Sequence, residues 1–483
     1  MNQTGCTVAQ FRAGAAKTIE NEGLRRALRG ATGHFVEGRK EAFENFPDGE
    51  PLRDHLKAVR GATIANLAVY LEQFERNAQA AGAIVHWARD GAEATAIVAA
   101  IAREHGVELV AKSKSMATEE IHLNKTLMDE GVRVVETDLG EWIIQLAGEK
   151  PYHIIGPAIH KTKAQVVELF EQYRGKPLLD TSIPALTAEA RRVLREQFLA
   201  AGMGISGGNM GVAETGSLVL VTNEGNGRMV TSLPRVHVAI MGIEKIAPDW
   251  DAAAAWLSLL ARSATGQPMS IYTTVVTGPR RAEDVDGPDE VHIVLLDNGR
   301  SALTNTTYDE VLQCIRCGAC LNICPVYREA GGHAYNSPYS GPIGAVITPL
   351  LFGLEKYAAL PHASTLCGAC VDVCPSRIDL PRMLLALRAE EVQSGLASPL
   401  EAFAERAGAA VMGNPTLFNL AGKMAGWGQR TLRHGSVQAF AQNSQLNLPI
   451  NLTLERDLPI LPTKSFRDRW GEIEKEIEIE EVG

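Results

Sequence analysis

The stretch that most constrains this chain is CIRCGACLNICP, residues 314–325, with its partial repeat STLCGACVDVCP, residues 364–375. Cys314, Cys317, Cys320 and Cys324 follow C-x2-C-x2-C-x3-C, with Pro325 next. With that spacing three thiolates grip one iron–sulfur cubane, while the fourth, carried past by the proline turn, reaches a second cluster. Seven of the eight cysteines lie between 314 and 374, a pattern suited to metal rather than to scattered disulfides. Cys6 stands apart and reads as a bystander. With the cysteines exchanged between motifs, cluster one takes Cys314, Cys317, Cys320 and Cys374, and cluster two takes Cys324, Cys367 and Cys370. Paired C-x2-C motifs also build zinc sites, but zinc explains neither the four-cysteine run nor its repeat.

Ser364 occupies the position of the absent thiolate. Three readings stand: a 4Fe–4S cluster with a non-cysteine ligand such as Ser364, His362 or water; a 3Fe–4S cluster; or a 4Fe–4S cluster with an open iron. The expectation is two 4Fe–4S clusters, the second with an unassigned fourth ligand. Ser364 itself is read as a small space-filler, whose replacement by alanine keeps cluster two. Clusters sharing exchanged cysteines sit close together, which suits stepwise one-electron transfer.

A chain of 483 residues with 45% hydrophobic content fills several ordinary cores. Its 57 acidic residues outnumber 47 basic ones, and no Lys/Arg block offers a nucleic-acid face. The first residues lack the apolar core of a signal peptide, and the apolar stretch near Ile343 to Leu354 is too short to span a bilayer and is interrupted by Pro349. A cytoplasmic protein with no membrane span is expected, with peripheral membrane contact left open.

Four regions follow from the patterning: 1–80 helical, 81–300 α/β, 301–395 cysteine-rich, and 396–483 with some helix, a Pro-bearing extended tail and an acidic end. In the second, AIVHWA, ELVA, VRVVE, YHIIG, SLVLVTN, VHVAIMG, SIYTTVVTG and HIVLLDNG read as strands alternating with helices such as DGAEATAIVAAIAREHG and TEEIHLNKTLMDEG. That alternation predicts a largely parallel sheet with helices on both faces. GMGISG, residues 202–207, is a literal G-x-G-x-x-G, but it follows a helix and precedes SLVLVTN, the reverse of a dinucleotide-binding turn. Two polar loops make a candidate small-molecule site. One is AKSKSMATEE, with Lys112, Ser113 and Lys114 between a strand and a helix, where an anion finds N–H groups and ammonium charge. The other contributes Asn209, Glu214, Thr215, Glu224 and Arg228. His153, His160 and His237 have no metal-ligand spacing, and no catalytic residue is assigned.

With these stretches laid out, the chain closely resembles the lactate utilization protein B (LutB-type) family along nearly its whole length. The matching segments include VVETDLGEWIIQLAGEKPYHIIGPAIHKTK, GVAETGSLVLVTNEGNGR, LPRVHVAIMGIEK and both cysteine motifs. The resemblance implies a LUD domain, with a NagB/CoA-transferase-like sheet, followed by an α-helical ferredoxin-type iron–sulfur domain. It implies a subunit of an oxidoreductase complex rather than a complete enzyme, working with a LutA-type cysteine-rich subunit and a LutC-type LUD protein to oxidise L-lactate to pyruvate. It also makes the three-cysteine second motif the family's ordinary pattern. Alternatives are electron transfer for another 2-hydroxy acid or for glycerol phosphate, or a partner- or metabolite-binding module with structural clusters.

Overall fold

The structure is a computed structural model that describes residues 5–396, 399–432, 464–471 and 473–474. The chain divides into two compact units, Met1–Gln393 and Ser394–Gly483.

In the first unit the strands are β1 (Ile84–Ala88), β2 (Leu109–Lys112), β3 (Arg133–Glu136), β4 (Met203–Gly207) and β5 (Met210–Val212). They continue with β6 (Ser217–Thr222), β7 (Val236–Gly242), β8 (Ile246–Ala247), β9 (Tyr272–Val276) and β10 (Glu290–Leu296). Six of them form one sheet in the order β1-β10-β7-β4-β2-β3, every pair parallel. Central β7, VHVAIMG, is buried along its whole length, as a strand covered on both faces must be. The two coverings separate along β2 with a period of two. Val110 packs with Val98, Leu123 and Leu127 on one face, and Leu109 and Ala111 with Trp142, Phe170 and Leu194 on the other.

Several expectations are corrected. SLVLVTN and SIYTTVVTG leave the parallel sheet: as β6 and β9 they join a second sheet, β8-β5-β6-β9, whose β5–β6 and β6–β9 pairs are antiparallel. GMGISG, rejected above as a dinucleotide-binding turn, lies almost wholly in β4, where a Cβ on Gly204 would meet the Val230 carbonyl oxygen at 2.0 Å, so that glycine admits close packing. TEEIHLNKTLMDEG is two helices, Met116–Glu120 and Leu123–Asp129, interrupted where His122 turns left-handed at φ 54°. YHIIG is an irregular loop. Its His153 Nδ1 accepts the N–H groups of Ile155 and Gly156 at 3.0 and 3.2 Å, which curls the backbone away from any ladder. By contrast DGAEATAIVAAIAREHG forms its helix as expected, Gly91–Glu104, with Asp90 accepting from Glu93 N at 2.9 Å and Gly106 at φ 60° beyond the end.

The N-terminal helices Val8–Glu20, Glu22–Glu44, Gly49–Ala65 and Leu67–Ala80 share their core with the cysteine-rich segment: Leu28, Ile64 and Phe74 belong to the same apolar cluster as Leu321, Cys324 and Tyr327. Arg60 is the central tie. Its buried guanidinium donates to the carbonyls of Ile246, Glu244 and Leu312 at 2.7, 2.6 and 2.8 Å and stacks on Trp256, joining the α/β part to the segment before Cys314.

In the second unit, helices Pro399–Gly413 and Pro415–Leu432 are separated by Asn414, whose Oδ1 accepts the N–H groups of Thr416 and Leu417 at 3.0 and 3.2 Å. The expected extended arm and acidic end lie mostly outside the described residues. No helix among the described residues is long and apolar enough to cross a membrane.

Candidate functional site

The two cysteine motifs repeat in backbone as well as in sequence. Arg316 and Leu366, each preceding a cysteine, are left-handed at φ 59° and 55°, and Gly318 and Gly368, each following it, at φ 76° and 83°. Each loop then starts a short helix, Ala319–Ile323 or Ala369–Asp372. Cys314 Sγ accepts the Arg316 N–H at 3.4 Å, and in the second loop Ser364 Oγ accepts the Leu366 N–H at 3.1 Å. The serine thus keeps the turn-closing bond that the cysteine makes in the first motif. His362 is engaged elsewhere, with Nε2 2.7 Å from Glu391.

All eight cysteines are free of disulfides. Cys317 has Cys374 and Cys314 as electrostatic neighbours, and Cys320 has Cys314 and Cys317; Cys324 and Cys370 neighbour Cys367 and each other. Two groups result, one around Cys314, Cys317, Cys320 and Cys374, the other around Cys324, Cys367 and Cys370. Cys370 also neighbours Cys320 and Cys374, so the groups adjoin. Burial, then the adjacent thiols, push Cys317 and Cys370 up to about 12 and Cys374 to about 11. Burying such thiols as thiolates requires a cationic core between them. Backbone N–H groups of Ala319, Ile343, Tyr327 and Ile378 are aimed at the sulfurs, a donor arrangement that tunes iron–sulfur centres. Sulfur donors in this number and setting fit iron–sulfur clusters. Cys367 is exposed, and its thiol is drawn down by the Thr365 hydroxyl and nearby N–H groups, so the second group opens to the surface.

The first group adjoins a cavity of about 360 Å³ at the C-terminal ends of β2, β4 and β7, the crevice where open parallel sheets bind ligands. Loops after these strands supply Ser113 and Lys114, then Gly208 and Asn209, then Glu244 and Lys245; Asp138 follows β3 and Glu224 follows β6. Ile315 and Arg316, from inside the first cysteine motif, complete the wall. Lys245 Nζ donates to the Cys314 carbonyl at 2.6 Å, and Arg316 lies over the Tyr339 ring at 4.6 Å. Beneath the cavity Arg300 binds Glu120 through two bonds of 2.9 and 2.7 Å and reaches Glu244 at 2.7 Å. A Cβ on Gly242 would meet Glu244 at 2.2 Å, so only glycine leaves room for that pair. Burial alone would raise Glu244, but Arg300, Lys245 and Arg316 hold it down at about 2, while burial and Arg316 push Lys245 down to about 7.

Of the eight residues expected at a small-molecule site, Ser113, Lys114, Asn209 and Glu224 line this cavity. Lys112, Glu214, Thr215 and Arg228 do not. Lys112 ends β2 fully buried, bound to Glu136 at 2.6 Å and Glu119 at 3.2 Å. Glu214 and Thr215 form the β5–β6 turn, at the far end of six-residue β6 from Glu224, and Glu214 caps Trp250 N at 3.2 Å. Arg228 is exposed on the helix Asn226–Ser232, turned away from its cavity-lining neighbour Asn226. Sequence reasoning missed Glu244, Lys245, Arg300, Arg316 and Tyr339. The available signal was charge immediately after the apolar strands β7 and β10. His153 and His237 are buried strut residues, bound to Asn322 Oδ1 at 3.0 Å and to Ser206 Oγ at 2.8 Å.

A parallel α/β sheet with a polar crevice, closed by an adjoining pair of cysteine loops, defines an iron–sulfur protein built on an α/β domain. Residues 71–296 match the LUD domain and residues 310–378 the 4Fe-4S dicluster domain. Similarity extends along the whole chain: 42% identity to lactate utilization protein B of Oceanobacillus iheyensis, covering 94% of this chain and 95% of that one, and 40% to its namesake in Bacillus subtilis, covering 96% of each. The electron transport protein YkgF of Escherichia coli is 40% identical over 95% of both chains. The chain belongs to the lactate utilization protein B family.

Proposed function

We propose that this chain is the iron–sulfur electron-transfer subunit of a complex that oxidises L-lactate to pyruvate and supports growth on lactate. Its partners in this reading are a LutA-type cysteine-rich subunit and a LutC-type LUD protein. The observation that carries the relay is the order of its parts: a cavity, a thiol group that shares a wall with it, and an adjoining thiol group that reaches the surface at Cys367. Clusters held by Cys314, Cys317, Cys320 and Cys374, and by Cys324, Cys367 and Cys370, would supply one-electron acceptor and donor capacity, which suits a two-electron oxidation taken in single steps. The chain's own residues hold the thiols and present the second group to a partner.

Replacing Cys367 and Cys370 by serine in a stably produced protein tests this. Loss of growth on lactate in a strain that depends on the variant supports the relay; unchanged growth leaves the clusters structural and removes the reading.

A further inference from the structure

The cavity's charges are unevenly matched. Lys114, Lys245 and Arg316 all line it, yet the carboxylate nearest to two of them, Glu244, is committed to Arg300 at 2.7 Å and lies 3.6 Å from Arg316 and 4.0 Å from Lys245. Both lysines spend their short contacts on carbonyl oxygens, Lys114 on Ile155 at 2.8 Å and Lys245 on Cys314 at 2.6 Å. The Arg316 side chain is only 10% exposed, and its Nη1 is buried with no hydrogen-bond partner among the described residues. A guanidinium in that state is short of an acceptor. Asp138 and Glu224 on the same wall oppose a doubly charged phosphate but accept hydroxyl protons, as does Asn226, whose buried Oδ1 is also without a partner among the described residues. Met116, Ile155, Leu260 and Ile315 offer apolar surface to a carbon chain.

We propose that this cavity binds a hydroxylated organic carboxylate, its carboxylate against Arg316 and Lys114, and that occupancy is coupled through Arg316 to the redox state of the iron–sulfur cluster that Cys314, Cys317, Cys320 and Cys374 would hold. This deepens the electron-transfer reading and rests on it for the coupling. Arg316 stands between Cys314 and Cys317 in the loop itself, so a carboxylate on its guanidinium would bring negative charge beside the cluster those cysteines hold and disfavour an electron added to it. By reciprocity the oxidised protein binds the carboxylate more tightly than the reduced one.

The test is titration calorimetry on the anaerobically purified full chain, with L-lactate, pyruvate, D-gluconate and inorganic phosphate as probes. Saturable heat is expected from L-lactate or D-gluconate, weaker from pyruvate, not displaced by phosphate, and about tenfold weaker in Arg316→Gln and in Lys114→Met. Lys114→Met lies away from the cysteines and decides the matter if Arg316→Gln loses iron. Potentiometry with the binding probe should lower the midpoint, by about 59 mV if the oxidised form binds tenfold tighter. Absence of saturable carboxylate binding, or binding unaltered in an iron-retaining variant, overturns the proposal; an unshifted midpoint overturns the coupling. None of these results touches the relay reading, which is decided by lactate-driven reduction with the partners present.

Discussion

Ser364 replaces a cysteine in a repeat whose backbone is otherwise kept, and its role is open to a quantitative test. The Oγ accepts the Leu366 N–H at 3.1 Å and so helps hold Leu366 at φ 55°, a left-handed conformation that costs a residue with a side chain about 1–2 kcal/mol. Ser364→Ala removes one neutral, half-buried hydrogen bond, a loss of about 1 kcal/mol. That corresponds to roughly fivefold faster amide exchange at Leu366 if the loop opens locally. Iron and acid-labile sulfide per chain should not change, because the serine's work is turn closure. Ser364→Cys, which restores the thiol that closes the first loop at 3.4 Å, should hold at least as much iron as the parent. Iron loss from Ser364→Ala equal to one cluster would refute this reasoning and make Ser364 a ligand. Unchanged exchange at Leu366 would refute the turn-closing role.

Two further outcomes follow from the buried polar groups. Glu120 accepts from Arg300, Asn298 and Tyr339 at 2.6–2.9 Å, so Glu120→Gln should lower stability by about 3 kcal/mol in urea unfolding, with Glu244 still partnering Arg300; a loss well under 1 kcal/mol would contradict it. Burial, then His292, push His237 down to about 4 from an ordinary 6.5, so the unfolded chain binds the extra proton between those values. The resulting stability is complete above pH 6.5 and is lost as pH falls towards 4, by up to about 1.4 kcal/mol per pH unit, and His237→Asn should flatten that slope. An identical slope in the variant would show that His237 titrates as in the unfolded chain.

Where local chemistry determines structure, the sequence was readable. The Asp90 cap, the Gly106 stop and the apolar run of β7 are each settled by a few neighbouring residues. Where long-range pairing decides, it was not. YHIIG has strand composition, yet His153 prefers two local N–H groups and the distant Asn322. SLVLVTN alternates no differently from a strand of the main sheet, and only its antiparallel partners β5 and β9 assign it to the second one. The cavity was half legible: Ser113, Lys114, Asn209 and Glu224 sit in conspicuous polar loops, whereas Arg300 and Arg316 come from segments whose approach to those loops depends on the whole fold. Glu214 and Thr215 misled because one glycine-rich stretch supplies both ends of β6.

The relay is tested most directly by EPR of the anaerobically purified protein, alone and with its LutA-type and LutC-type partners, before and after L-lactate. A reduced-cluster signal that lactate raises only when the partners are present is the predicted result. If no combination responds to lactate while dithionite still reduces the clusters, the chain carries electrons from another donor and the account is wrong.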